Sequence, residues 1–189
     1  MPLQNRVLPD GSIVSSSARG TMMGNRGGKI HDPLTKTLSR RRWASKRWIA
    51  CRTEFKNRHR PVMGKGYTEL FFLDEVTALS AGHRPCFECR RQDANSFAQC
   101  WDRCFTLPDG SVADAIDHIL HSERTGKREV LSCNITDIRT DGVMFSLDNA
   151  FFTKRNGEYL RWSPDGYLPS RLKSSEIVHL LTPPSIASV

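Results

Sequence analysis

The pattern of hydrophobic and polar positions predicts short strands in the first part of the chain. Apolar pairs flank the turn sequence Pro9-Asp10-Gly11, which predicts two extended segments over residues 3–14. Polar and apolar residues alternate over residues 48–55, and an apolar segment covers residues 67–73, so both are predicted strands. A glycine-rich stretch over residues 22–32 is predicted to be a loop.

The middle of the chain has the hydrophobic spacing that is typical of helices. A short helix is predicted to begin after Asp74, whose carboxylate suits an N-cap, and to stop at Gly82. Two longer amphipathic helices are predicted over residues 93–105 and 112–124.

From residue 130 onwards the pattern changes to short apolar runs separated by turn dipeptides such as Asp141-Gly142 and Asn156-Gly157. This spacing is typical of an antiparallel meander or a small barrel. A last strand over residues 176–182 is closed by Pro183-Pro184. Helices followed by a run of strands predict an α+β fold.

Length and composition narrow the class of protein. The chain has 189 residues, of which 38% are hydrophobic, enough for one domain. It contains neither an apolar run of about 20 residues nor a secretory signal pattern, so we expect a cytoplasmic protein without a membrane partner. In a reducing compartment the six cysteines favour metal binding or free thiols over disulfides.

Positive charge is concentrated near the N terminus. Residues 1–60 contain 14 lysines and arginines but three acidic residues, so this part of the chain should attract a polyanion. Within residues 40–48, two tryptophans interleave with the cations, a combination used to bind phosphates and unstacked bases. The alternative is that the tryptophans are core residues and the charges form a solvated face.

These features predict a nucleic-acid partner, with DNA preferred over RNA. The residues expected to contact it are Arg26, Lys29, Arg40, Arg41, Arg42, Trp43, Lys46, Arg47, Arg84, Arg90 and Arg91.

The pair Cys86 and Cys89 is the most specific chemical signal. Two thiols separated by two residues can bind one metal ion, and the neighbouring arginines are expected to lower the pKa of both thiols. The pair lies on a predicted turn between two helices, which suits a zinc knuckle. A thioredoxin-like redox pair instead follows a strand of a βαβ unit.

The residues leading into this pair resemble a known family. Phe71-Phe72, followed by Ala81-Gly82-His83-Arg84-Pro85-Cys86-Phe87-Glu88-Cys89, resembles the metal-binding domain of the bacterial alkylation-repair protein Ada, and the likeness covers about residues 51–93. The resemblance implies a zinc ion held by four cysteines, one of which accepts a methyl group from a methylated DNA phosphate.

This chain departs from the family at the first ligand pair, where Cys51 stands alone. The acceptor role therefore matches only Cys51. His59 is a candidate for the missing ligand, which gives the set Cys51, His59, Cys86 and Cys89. The alternative is that His59 belongs to the basic run 52–60 and faces solvent.

With this unit in place, the predicted architecture is one compact α+β domain with a central Ada-like zinc knuckle, two following helices and a C-terminal antiparallel sheet. Its parts are a basic N-terminal region, residues 1–47, a zinc-knuckle and helical unit, residues 48–125, and an antiparallel β region, residues 126–189.

Three classes of function remain open. The first is a zinc-containing nucleic-acid-binding protein in DNA repair or in the handling of modified DNA. The second is a nuclease or glycosylase, with His31 and His121 as catalytic candidates and Asp117 placed four residues before His121 to orient it. A zinc deaminase is disfavoured because the only His-x-Glu sequence, beginning at His121, follows the cysteine pair. The third is a zinc-stabilised regulator or adaptor.

Overall fold

The computed structural model describes residues 1–59, 61–106, 110–126 and 131–189, which form two six-stranded sheets and four α-helices. This confirms the predicted α+β class. None of the helices in these ranges is long and apolar enough to cross a membrane.

The first sheet combines strands from the basic N-terminal region with strands from the predicted zinc unit. Its strand order is β2-β1-β5-β3-β4-β6, and β1 and β2 form the predicted hairpin. The strands are β1 (Gln4–Val7), β2 (Ile13–Ser15), β3 (Met22–Arg26), β4 (Trp48–Arg52), β5 (Leu70–Phe72) and β6 (Arg84–Pro85).

Strand β3 corrects the prediction that residues 22–32 are a loop throughout, because the loop begins only at Gly27. Gly24 pairs with Ala50 of β4 and with Leu70 of β5 in the centre of the sheet. A Cβ atom at Gly24 would lie 2.2 Å from the carbonyl oxygen of Ile49, so glycine permits close strand packing at this position.

The helices follow the predicted pattern. Asp74 caps the first one by accepting a hydrogen bond of 2.8 Å from the backbone N–H of Thr77. An additional short helix follows the proline pair, because Pro184 occupies its first turn and Glu123 accepts a hydrogen bond from the N–H of Ser185. The helices are α1 (Glu75–Ser80), α2 (Arg91–Cys104), α3 (Val112–Thr125) and α4 (Pro184–Ala187).

The second sheet is antiparallel throughout, as predicted, with the strand order β11-β10-β9-β8-β12-β7. Asn156 and Gly157 both have positive φ angles, of 51° and 82°, which suits the tight turn between β9 and β10. Val130, the predicted start of its first strand, lies outside the described residues. The strands are β7 (Ser132–Asn134), β8 (Met144–Leu147), β9 (Ala150–Arg155), β10 (Glu158–Ser163), β11 (Gly166–Ser170) and β12 (Ile177–Leu180).

Helix α1 joins the two halves of the molecule. The indole N–H of Trp162 in β10 donates to the hydroxyl of Thr77, at 3.0 Å, and the hydroxyl of Tyr167 in β11 donates to the capping carboxylate of Asp74, at 2.9 Å. The apolar faces of α2, α3 and α4 pack together around Trp101.

A buried ion pair fixes β6 against α3. The guanidinium of Arg84 donates to both carboxylate oxygens of Asp117, at 2.9 and 2.6 Å, and both side chains are nearly inaccessible to solvent. Because β6 leads directly into Cys86, this pair positions the cysteine loop relative to the helices.

We expect Asp117→Ala to lower the free energy of unfolding by about 3–5 kcal/mol, because it leaves the buried Arg84 guanidinium without a counter-charge. Asp114→Ala on the same helix removes the exposed pair with Arg47 and should cost about 1 kcal/mol or less. Urea unfolding of the two variants provides the comparison. Equal losses would show that the buried pair contributes nothing beyond a surface contact.

Candidate metal centre

The first sheet brings together three thiols that are distant in sequence. Cys51 lies in β4, and Cys86 and Cys89 lie in the loop that follows β6. Strands β4 and β6 are parallel neighbours, and the N–H of Cys86 donates to the carbonyl oxygen of Ala50 at 3.0 Å. The three Sγ atoms therefore lie within 4.8 Å of one another.

The thiol cluster is buried and has apolar surroundings. All three cysteines are at least nine-tenths inaccessible, and Met23, Ile49 and Phe55 pack against them. The backbone N–H of Glu88 points at the sulfur of Cys86, at 3.4 Å, a contact that stabilises a thiolate.

Ionisation is shared unequally among the three thiols. The pKa of Cys86 is lowered to about 5, chiefly because the Cys51 thiol donates a hydrogen bond to it and because backbone N–H groups face it. That donated hydrogen bond, together with burial, raises the pKa of Cys51. The pKa of Cys89 is also raised, chiefly by burial. A bound cation would displace the protons that Cys51 and Cys89 otherwise retain.

The donor set fits a thiophilic metal ion. Sulfur atoms that share a tetrahedral zinc ion at the usual bond length of about 2.3 Å lie about 3.8 Å apart, so only small side-chain adjustments separate the cluster from that arrangement. Cys51, Cys86 and Cys89 are the residues that would hold such an ion, and a bound ion would supply charge compensation and a Lewis acid.

The structure does not bring His59 into this cluster. His59 is exposed and lies outside the group of three ligand atoms, on the basic run that follows β4. Its exposure agrees with the alternative interpretation of a solvated basic segment. The fourth member of the predicted set is therefore not supplied by this residue.

Two of the three flanking arginines, Arg84 and Arg90, have structural roles, which corrects the prediction that they tune the thiols. Arg84 is engaged with Asp117, and Arg90 donates to Glu75 and Asp93, at 2.5 and 2.8 Å. The pKa of Cys86 is lowered by hydrogen bonds from thiols and backbone rather than by these cations. Arg91 is exposed at the first turn of α2.

Three of the residues predicted to contact nucleic acid are buried, namely Arg26, Arg84 and Arg90, at 1, 5 and 6% exposure. Arg26 donates to the carbonyl oxygen of Gly11, at 2.6 Å, and its guanidinium lies 4.0 Å from the ring centre of Trp48. These contacts hold the fold together and leave the three guanidinium groups inaccessible to an external phosphate, which corrects the expectation for them.

The remaining predicted cations are exposed. All of them except Arg91 lie between β3 and β4, and we refer to these as the basic segment: Lys29, Arg40, Arg41, Arg42, Lys46 and Arg47. Trp43 is half-buried among them, 5.4 Å from the ring of His121 and 6.4 Å from that of Trp48. Trp48 itself is a core residue, so the two tryptophans differ in role.

Contacts with α3 hold the end of the basic segment in place. Arg47 pairs with Asp114 at 3.0 Å, and the Nζ atom of Lys46 lies 3.1 Å from Nδ1 of His118. The guanidinium of Arg124 also donates to the carbonyl oxygen of Lys46, at 2.9 Å.

Neither predicted catalytic histidine has the surroundings of a general base. His31 is buried, and its ring nitrogens contact the hydroxyl of Thr68, at 2.5 Å, and the carbonyl oxygen of Gly64, at 2.8 Å. This histidine therefore connects two loops. His121 does not receive the expected orientation from Asp117, because both carboxylate oxygens of Asp117 bind Arg84. Burial and nearby cations instead lower the pKa of His121.

A cavity of about 310 Å³ adjoins the thiol cluster, and all three cysteines line it. Asn25 and Glu69 also line this cavity, and both are almost fully buried. Sequence analysis missed these two residues. Glu69 directly precedes β5 and Asn25 lies within β3, and neither position belongs to a motif or to a helical repeat.

Comparison with family models, curated proteins and solved structures finds no match for this chain.

We expect Cys51→Ser, Cys86→Ser and Cys89→Ser each to reduce the metal content of the purified protein from about one ion per chain to a small fraction of that value, because each removes a ligand of the cluster. The matched controls are Cys100→Ser and Cys104→Ser, which alter thiols outside the cluster. Elemental analysis after dialysis measures the difference. Equal metal content in all five variants would contradict a metal centre at this cluster.

Proposed function

We propose that this chain is a zinc-containing protein that binds nucleic acid, with DNA preferred over RNA, and that it acts in DNA repair or in the handling of modified DNA. The observation that carries the proposal is the attachment of the exposed basic segment to the strand that contains Cys51. The segment ends at Arg47, and β4 begins at the next residue.

Zinc is the metal that the ligand chemistry favours. Three thiolates form a soft donor set, which selects zinc, copper(I) or iron–sulfur clusters over magnesium and calcium. Cysteine thiolates are common ligands of zinc in proteins. The Ada-like motif around Cys86 and Cys89 supports the same choice.

The basic segment supports binding to a phosphate backbone. Seven exposed cations, the basic segment together with Lys36, lie within the 19 consecutive residues from Lys29 to Arg47, and Trp43 offers a half-buried aromatic face among them. Cations bind phosphates without regard to sequence, and an aromatic ring can stack on an unpaired base. In the part of the chain that the structure describes, no comparably specific contact favours the nuclease, glycosylase or adaptor alternatives.

We expect the variant with both Arg40→Ala and Arg41→Ala to bind a single-stranded or duplex oligonucleotide more weakly than the unaltered protein. The slope of log K against log salt concentration should also become shallower by about two units, because each lost phosphate contact removes about one released counterion. The matched control is Arg161→Ala with Arg171→Ala, two exposed cations in and beside the second sheet. Fluorescence anisotropy across a salt series measures both quantities. Affinity that does not depend on salt would contradict the proposal.

The resemblance to Ada also gives Cys51 a proposed role as a methyl acceptor. In that step the sulfur of Cys51 forms a bond to the methyl carbon, the methyl–oxygen bond breaks, and the phosphate diester leaves with the electron pair. A bound metal ion would hold Cys51 as the thiolate that this step requires, whereas the hydrogen bond that its thiol donates to Cys86, together with burial, raises the pKa of Cys51.

After incubation with DNA that contains a methylphosphotriester, we expect one added methyl group on Cys51 and none on Cys100 or Cys104. Peptide mass spectrometry locates the modification. A protein that binds this DNA and keeps Cys51 unmodified would contradict the acceptor role and would leave the binding proposal intact.

A further inference from the structure

Among the residues that the structure describes, the three-thiol centre is one ligand short of a closed zinc site. Zinc held by cysteines is almost always four-coordinate, and within residues 1–59, 61–106, 110–126 and 131–189 the cluster contains three ligand atoms. Structural zinc sites are closed by a fourth side chain, whereas sites that bind an exogenous ligand leave one position free. This centre therefore has the ligand count of a site that binds an exogenous ligand.

The free position has a cavity beside it. The same three cysteines line the cavity of about 310 Å³, which we call the thiol-side cavity. Its volume is at the lower end of the range for small-molecule sites, about 300–1,000 Å³. Its other walls are mostly aromatic or aliphatic and come from Met23, Ile49, Phe55, Val62, Tyr67 and Phe71.

Two buried polar side chains give the thiol-side cavity a specific hydrogen-bonding character. The Oε2 atom of Glu69 accepts from the N–H of Met63, at 2.7 Å, and the Oδ1 atom of Asn25 accepts from the N–H of Gly27, at 2.9 Å. Among the described residues, no hydrogen-bond partner contacts the second polar atom of either side chain. The cavity therefore offers one carboxylate acceptor, Oε1 of Glu69, and one amide donor, Nδ2 of Asn25.

Charged side chains also line the cavity. Arg52 is exposed at the end of β4, whereas Arg58 pairs with Glu88 at 2.7 Å. The guanidinium of Arg52 could contact a phosphate attached to a ligand, while the ligand itself would meet the apolar walls.

We propose that the metal at the three-thiol centre binds an exogenous ligand through its fourth coordination position, and that this ligand is an unstacked nucleobase inserted into the thiol-side cavity. A nucleobase has a flat apolar body for Phe55 and Phe71, a ring nitrogen or carbonyl oxygen for the metal, and an N–H group for Glu69. This inference rests on the proposed zinc and nucleic-acid function and assigns the site at which one base is held.

The test uses the full chain loaded with Co²⁺, whose visible absorption bands respond to every ligand in its coordination sphere. Imidazole probes whether the fourth position is open. Cytidine and adenosine probe the ligand class, and a short single-stranded oligonucleotide probes the same base on a phosphate chain. We expect each of these probes to shift the cobalt bands saturably, with the oligonucleotide effective at the lowest concentration.

Two variants alter the cavity lining and leave the metal ligands in place, so they distinguish nucleoside binding from metal binding. Glu69→Gln retains an oxygen for the N–H of Met63 but replaces the free acceptor with a donor, so it should weaken nucleoside binding by about tenfold or more and leave the response to imidazole unchanged. Thr53→Trp places a bulky side chain at an exposed position of the cavity lining and should exclude nucleosides. Its matched control is Glu54→Trp, at a neighbouring exposed position outside the lining.

The outcomes distinguish this inference from the function on which it rests. Cobalt bands that stay unchanged with imidazole would show a closed site and overturn the inference, while metal content and salt-dependent DNA binding would still stand. A response to imidazole but to neither nucleoside nor oligonucleotide would overturn the nucleobase assignment. Failure of the chain to take up Co²⁺ at all would instead overturn the proposed metal function.

Discussion

The parallel pairing of β4 with β6 is the constraint on which the candidate site depends. One hydrogen bond, from the N–H of Cys86 to the carbonyl oxygen of Ala50, aligns the thiol of Cys51 in β4 with the loop that carries the other two. Strand β6 contains only Arg84 and Pro85, so the backbone pairing alone is short. The bidentate ion pair between Arg84 and Asp117 supplies the additional anchor, since it ties that strand to a long helix.

The same helix also connects the metal centre to the basic segment. Asp117 on α3 holds the strand before the cysteines, while Asp114 and His118 contact the last two cations before β4. Residues at positions 114, 117 and 118 lie on one side of a helix, so a single rigid element contacts both sequence segments that flank the thiols. Arg124, near the end of α3, adds a hydrogen bond to the backbone of Lys46 and packs on Trp48. The spacing between the basic segment and the thiol cluster is thereby fixed.

Sequence analysis predicted the parts of this arrangement that have local signals. Turn residues, the Asp74 cap and hydrophobic spacing predicted the first hairpin, α1, α2 and α3, and dipeptides such as Asn156-Gly157 predicted the antiparallel second sheet. The grouping of Cys51 with Cys86 and Cys89 could be inferred only because the motif resembles a known family. Pairing between β4 and β6 is non-local and leaves no periodic signal in the chain.

The arginines show why charge patterns alone misplace a binding surface. Composition alone does not distinguish Arg26 and Arg84 from Arg40 and Arg41. A partner elsewhere in the chain determines which guanidinium group is buried. Asp117 is 33 residues from Arg84, and the ring of Trp48 covers Arg26 only after β3 and β4 have paired. Burial lowers the pKa of Arg26 to about 9, a cost that the contacts with Gly11 and Trp48 offset. Positive charge in this chain therefore occurs in two different environments. The buried guanidinium groups fix the sheet that presents the thiols, and the exposed ones remain available to a polyanion.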